Sequence, residues 1–231
     1  VSAFLLNRSS DLSLRQRKTS FPLVFHSICT IFEFLSKILT FEKTQINLVF
    51  SSLIRIFAVM NQFKRFFVWL SRIHKCRGFG IQSPTDYSFV RYVINEHWPY
   101  YAYDQLNGDD WLTSKLGRLY FRLANWRQPS MMIQDEYQRY WQAGCIETNF
   151  VPIINKVELA RVLVEDYDGW EALLSKCDQK SVIVVEGIWR DWERWHKLEA
   201  DENTGVTFDL YYCGIVFFDK NRFKQNYIIN F

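Results

Sequence analysis

Four carboxylates stand at the ends of two apolar runs. Glu165, Asp166 and Asp168 follow the run Leu159 to Val164, and Glu186 follows the run Ser181 to Val185. Short apolar runs rich in β-branched side chains predict buried strands. In an open α/β sheet, the carboxyl ends of such strands form the binding crevice. Carboxylate oxygens placed there suit a hard divalent cation. The same acids also suit the first turn of a helix, where they complement its dipole, and that is the expected use here.

Flat ring faces offer a second kind of chemistry. Trp98, Tyr100, Tyr101 and Tyr103 crowd one short stretch. Such rings can stack on a planar substrate or hold a cation by cation–π contact. A packed lid or subunit contact is the commoner use, and it is the expectation. Trp189, Trp192 and Trp195 recur at helical spacing and are expected to anchor their helix or a dimer partner. The histidines are His26, His74, His97 and His196, and no two share metal-binding spacing. His97 and His196 could act as general bases, although partly exposed structural roles are expected for both.

The chain that must position these groups has 231 residues, 48% of them apolar, which is enough to bury the core of one domain with or without an extension. A formal net charge of +3 predicts no nucleic-acid partner. That charge is uneven: the residues before Met60 carry +4 and the rest −1. Cys29, Cys76, Cys145, Cys177 and Cys213 are odd in number and scattered without a CxxC pair. This fits reduced thiols and a cytoplasmic location, with neither a disulfide framework nor a zinc site.

Before Met60, His26, Glu33, Lys37 and Arg55 interrupt every window of about 20 residues that could span a bilayer. Arg15, Arg17 and Lys18 ahead of an apolar stretch suggest a membrane-surface or targeting segment. The favoured expectation is an extension read through in frame, with translation starting at Met60. Residues 1–59 are therefore set apart as an extension that is untranslated or poorly ordered, 60–128 as a helical N-terminal region, and 129–231 as a reduced α/β core.

Phe63, Phe66, Phe67, Leu70 and Ile73 predict an amphipathic helix, with Lys64, Arg65 and Arg72 opposite. Its apolar face is expected to dock on its own domain. Membrane contact through residues 1–77 is the less favoured use. Gly78 and Gly80 break the helix. Ser83 then suits an N-cap, Pro84 the first helical position and Asp86 a capping-box acid, with Phe89, Val90, Val93 and Ile94 as the buried stripe. A third helix runs from about Trp111 to Trp126, with Leu112, Leu116, Leu119, Tyr120 and Leu123 inward, and ends at Pro129.

Beyond Pro129 the predicted order is a strand at Met131 to Ile133, a short helix at Tyr137 to Ala143 and a strand at Phe150 to Ile154 weakened by Pro152. There follow the strand Leu159 to Val164, a helix at Asp168 to Cys177, the strand Ser181 to Val185 and a helix at Trp189 to Ala200. Three closing strands lie at Val206 to Tyr211, Gly214 to Phe218 and Asn226 to Phe231. Alternation followed by terminal antiparallel strands predicts an α/β sheet with an antiparallel edge.

Three stretches, in this order, resemble a family of small bacterial class I SAM-dependent methyltransferases. Arg77-Gly78-Phe79-Gly80-Ile81-Gln82-Ser83-Pro84 looks like the family's RHGIHSPF signature. Residues Lys115 to Asn125, KLGRLYFRLAN, are similar to the helix before its first strand. SVIVVEGIW from Ser181 and DLYYCGIVFFDKNRFKQNYIINF from Asp209 resemble its last strands. The resemblance implies a truncated Rossmann-like methyltransferase sheet with N-terminal helices. It also implies a Gly-rich turn after the first strand, where glycine lets backbone N–H groups approach the cofactor. Here that strand is followed by Gln134-Asp135-Glu136-Tyr137-Gln138-Arg139-Tyr140-Trp141, with no glycine before Gly144.

A full core of seven strands and six helices needs roughly 155 residues, whereas Pro129 to Phe231 supplies 103. Roughly two strand–helix units are missing on that count. The strands near Ala160 and Val182 resemble the family's fourth and fifth, so the loss falls between the first and the fourth. By position, the resemblance offers Asp135, Glu136 and Glu147 as cofactor-binding candidates and Asp166 and Glu186 as metal candidates. Gly187 stands where a second metal ligand is expected. Tyr100, Tyr101 and Tyr103 are the substrate candidates, able to shield a methyl sulfonium. Gln82 replaces a family histidine, so a proton-transfer role there is lost.

The leading expectation is a degenerate, pseudoenzyme-like member that lacks normal SAM binding and carries no cofactor. Exposed strand edges left by the truncation make a homodimer plausible. The rival is an active SAM-dependent methyltransferase with an atypical or dimer-completed pocket. A third reading is a membrane-surface protein using the basic N-terminal region.

Overall fold

The first stretch whose pattern can be followed into structure is the amphipathic segment after Met60. A computed structural model describes residues 62–106, 108 and 110–231 of the chain; the expectations for residues 1–59 lie outside them. Residues 62–71 form the helix α1, and Phe66–Phe231 group into one compact unit. Among the described residues no helix is long and apolar enough to cross a membrane.

Among the described residues the apolar face of α1 is not docked. Phe66 and Phe67 are 54% and 62% exposed, and Leu70 and Ile73 are exposed too, against the expectation. The tie to the domain is polar instead: Arg72 donates through Nη1 and Nη2 to the two carboxylate oxygens of Asp209, each at 2.9 Å. A tight turn over Ile73–Gly78 then places Arg77, Gly78 and Gly80 at positive φ and ends the helical path.

Ser83 caps helix α2 (Pro84–Phe89) by accepting from Asp86 N, with Pro84 at the first position as predicted. The chain winds on through Val90–Ile94. Phe89, Val90, Val93 and Ile94 are all buried. The Asp86 carboxylate, expected to act as a capping-box acid, turns elsewhere: it is buried, pairs with Arg222 and accepts from Tyr227 Oη at 3.3 Å. Helix α3 (Trp111–Arg127) is capped by Asp110, which accepts from Thr113 N at 2.7 Å. It ends where Gln128 turns left-handed before Pro129. Leu116, Leu119, Tyr120 and Leu123 are buried, while Leu112 is half-buried.

β1 (Met131–Ile133) pairs in parallel with β2 (Asn149–Val151), which stops one residue short of Pro152. Between them lies α4 (Gln138–Gly144). The main sheet holds β3 (Val157–Leu163), β4 (Cys177–Glu186), β5 (Val206–Asp209), β6 (Cys213–Phe217) and β7 (Gln225–Ile228) in the order β3-β4-β6-β5-β7. β1 lies beside β3, and Ser130 N donates to Glu158 Oε2 at 2.6 Å across that junction.

β3 and β4 are parallel, and β6 is antiparallel to both β4 and β5. Of the expected antiparallel closing strands only the β5–β6 pair is found; β6 alone runs against the rest and lies at the centre of the sheet rather than at its edge, and the edge strand β7 pairs in parallel with β5. The reason is positional. Both edges of β6 are taken, so the chain reversing after it finds only the outer edge of β5, and it arrives running the same way as β5.

Alternation sorts the strands into two cores. Leu159, Val182, Val184, Phe208 and Ile215 face α2, α3 and α4, while Ala160, Val162, Ile183, Val185 and Val216 face the other layer. That layer is α5 (Tyr167–Leu174) and α6 (Trp192–Ala200). The single helix expected from Trp189 is broken at Asp191, whose φ of −140° and ψ of 83° are not helical. A short turn over Ile188–Arg190 comes first, and Asp191 then caps α6. Trp195 anchors α6 as expected. It is fully buried, and a Cβ on Gly214 would lie 2.7 Å from its Cζ2.

Candidate functional site

The residues after β1 enter a tight turn because Asp135 satisfies its donors. Asp135 Oδ1 accepts from Tyr137 N at 2.9 Å and from Trp141 Nε1 at 3.1 Å. This brings Tyr137, Tyr140 and Trp141 inward, and all three are buried. Trp141 stacks on Tyr120 with ring centroids 4.6 Å apart, and Tyr137 meets Tyr120 edge-on at 4.8 Å. Gly117 on α3 makes room: a Cβ there would lie 2.5 Å from Tyr140 Cζ.

Beneath these rings lies Arg161 of β3. Its Nε donates to Glu186 Oε2 at 2.6 Å, its Nη2 pairs with Glu136, and its Nη1 lies 3.9 Å from Asp135 Oδ2. The guanidinium sits over the Tyr137 ring at 4.8 Å. Tyr120 Oη donates to the same Glu186 oxygen at 2.6 Å. Burial works against the Arg161 charge, but the bond to Glu186 together with the charges of Glu186, Tyr120 and Glu136 more than offsets it and holds the guanidinium above its ordinary pKa. Burial, then the Glu186 charge, raises the Tyr120 hydroxyl, and the same causes push Tyr137 up to about 12. Burial also raises the Asp135 carboxyl, against the lowering pull of Trp141 and Arg161.

Three of the candidate acids, Asp135, Glu136 and Glu186, thus converge on one cation that the sequence reading did not single out. A lone arginine inside the apolar run of β3, flanked by Ala160 and Val162, was the available signal, since a buried charge needs partners. Glu147 is exposed in the bend before β2, away from this cluster. Asp166 caps α5 by accepting from Gly169 N at 2.9 Å, the role expected of it. Glu186 is engaged by Arg161 and Tyr120. Among the described residues no group of three His, Cys, Asp or Glu side chains is disposed to hold a metal ion.

The substrate candidates lie in a separate open cleft of about 1330 Å³ between the loop after Ile94 and the first turns of α3. Tyr100 and Tyr103 form its wall, edge-on to each other at 5.3 Å and to Phe121 behind them. Tyr101 is 95% exposed at the rim, and His97 is there too. His196 is elsewhere, with Nδ1 on Glu199 at 2.8 Å. The cleft also takes in Lys115, Arg118 and Arg122 of α3. Their spacing of three and then four residues places them on one helix face, a signal the sequence itself carries.

No protein-family model matches this chain, and neither a curated protein nor a solved structure matches it.

Proposed function

We propose that the chain is a methyltransferase-fold protein that has lost the usual mode of SAM binding and acts through its surfaces. One observation carries this reading. The space beyond β1, where a Gly-rich turn would let a cofactor approach the backbone, is filled by Trp141 stacked on Tyr120 and fastened to Asp135. The acid at the end of β4, another edge of the same crevice, is consumed by Arg161. A cofactor entering there would have to displace buried rings and leave a largely buried guanidinium without its partners. Incubation of the full chain with excess SAM should leave its thermal midpoint unchanged. A concentration-dependent rise would count against the reading, because a ligand that binds the folded state stabilises it.

Membrane-surface contact through residues 1–77 is a second reading, and the exposed apolar face of α1 favours it. Flotation with anionic vesicles, compared between the full chain and Phe66→Ser/Phe67→Ser, tests it; equal flotation would remove it.

A further inference from the structure

We propose that the cleft at the start of α3 is a binding site for a small organic anion carried on a flat ring, with Lys115 and Arg118 holding the charge and the aromatic walls holding the ring. This goes beyond the methyltransferase reading and does not rest on it.

Start with the cations. Trp111, Lys115, Arg118 and Arg122 follow one another at helical spacing on α3 and all line the cleft. Arg122 is spent on structure: it is buried, and it donates to Val93 O at 2.6 Å, Ile94 O at 2.9 Å and Tyr103 Oη at 3.2 Å. Arg118 is exposed and lies over the Tyr103 ring at 5.1 Å. Lys115 is half-buried between two rings, 4.3 Å from the centroid of Phe231 and 5.1 Å from that of Trp111. Neither Lys115 nor Arg118 pairs with a carboxylate among the described residues.

The acids of the cleft do not supply the missing charge. Glu96 Oε1 folds back to accept from His97 N at 3.0 Å and Trp98 N at 3.1 Å. Asp110 caps α3, and Asp104 has a partner of its own. A partly desolvated ammonium without a counter-ion is unfavourable, and ring faces offset that only in part. Its amine is accordingly pushed down to about 8, first by burial and then by the charge of Arg122. An incoming anion would supply the counter-charge.

The aromatic groups argue for the ring. Tyr100 and Tyr103 are fixed by Phe121, and Trp111 packs edge-on to Tyr212 at 5.6 Å. These are preorganised walls, which lose little freedom on binding. Trp98 and Tyr101 stand 71% and 95% exposed at the mouth. At about 1330 Å³ the cleft has room for both parts of such a ligand.

The test is calorimetry of the full chain at pH 7 with two probes, naphthoate for a ring carboxylate and adenosine monophosphate for a ring phosphate. One or both should bind saturably at one to one. The neutral counterparts, naphthalene methanol and adenosine, should bind about tenfold more weakly or not at all. Lys115→Gln should weaken the anion about tenfold, and Lys115→Arg should retain most of the affinity. If Lys115→Gln does not fold, the exposed Arg118→Gln carries the same comparison. The probe that binds identifies the anionic group. The proposal is overturned if neither anion saturates, if neutral and anionic probes bind alike, or if the variants that fold bind as the parent does. SAM is titrated separately, so its binding would sink the reading of lost cofactor binding without deciding this one.

Discussion

Arg161 and Glu186 sit on neighbouring parallel strands, one near the end of β3 and the other at the last residue of β4, and share a 2.6 Å hydrogen bond on the α3 side of the sheet. Their side chains are 8% and 16% exposed. Removing one partner of such a pair leaves the other partly desolvated and unpaired. Arg161→Met should therefore cost about 3 kcal/mol or more of stability, measured by urea unfolding. Adding Glu186→Gln to it should recover part of the loss, since the two sites are coupled. A loss below about 0.5 kcal/mol, in the range of an exposed pair, would show that the cluster does not hold the turn after β1.

Lys115 gives a pH signature whose sign is fixed by its environment. Its folded pKa of about 8 lies below the ordinary 10.5, so the folded chain disfavours the ammonium. Below pH 8 both states hold the proton and the penalty is fully present. Between pH 8 and 10.5 the unfolded state binds more protons, and stability gained at this site rises with pH. Lys115→Met should accordingly be more stable than the parent at pH 7, with the gap closing toward pH 10. Thermal melts of both proteins across that range measure it, and a gap that does not change with pH would contradict the account.

Close approach of α4 to α3 depends on Gly117. A methyl there would lie 2.5 Å from Tyr140 Cζ, and Tyr140 is 1% exposed with no free direction to move. Gly117→Ala should destabilise by about 1–3 kcal/mol despite alanine's better helix propensity. Equal or greater stability would mean that the rings after β1 are not packed as described.

The helical and strand patterns were legible wherever local chemistry decided them. Ser83-Pro84 placed the start of α2, and the β-branched run before Glu186 placed β4. Pro152 truncated β2. What the sequence did not disclose was pairing at a distance. The partner edge of β7 depends on β6 having filled both of its own, which no window of residues can contain. The undocked face of α1 is of the same kind: periodicity reports an apolar stripe but not whether a surface remains to cover it, since α2, α3 and α4 already cover that side of the sheet. For the site, Asp135, Glu136 and Glu186 were found as acids, but their shared partner Arg161 was hidden in a strand. Lys115 and Arg118 are visible at helical spacing, but the cleft they line is closed on its other side by the distant loop after Ile94.

Trp141→Phe isolates the turn that fills the space after β1. The ring stacking with Tyr120 is kept while the Nε1–H bond to Asp135 is lost. The half-buried carboxylate then lacks one donor, and stability should fall by about 1–2 kcal/mol. An unchanged urea midpoint would show that Asp135 is not fastened by Trp141.

Titration of SAM into the full chain by calorimetry, with circular dichroism confirming that the protein is folded, bears most directly on the account. No saturable heat is expected on the proposed reading, in which Trp141, Tyr137 and the Arg161 cluster fill the space a cofactor would take. Saturable one-to-one binding would contradict it and would require the rings after β1 to open or the cofactor to lodge elsewhere.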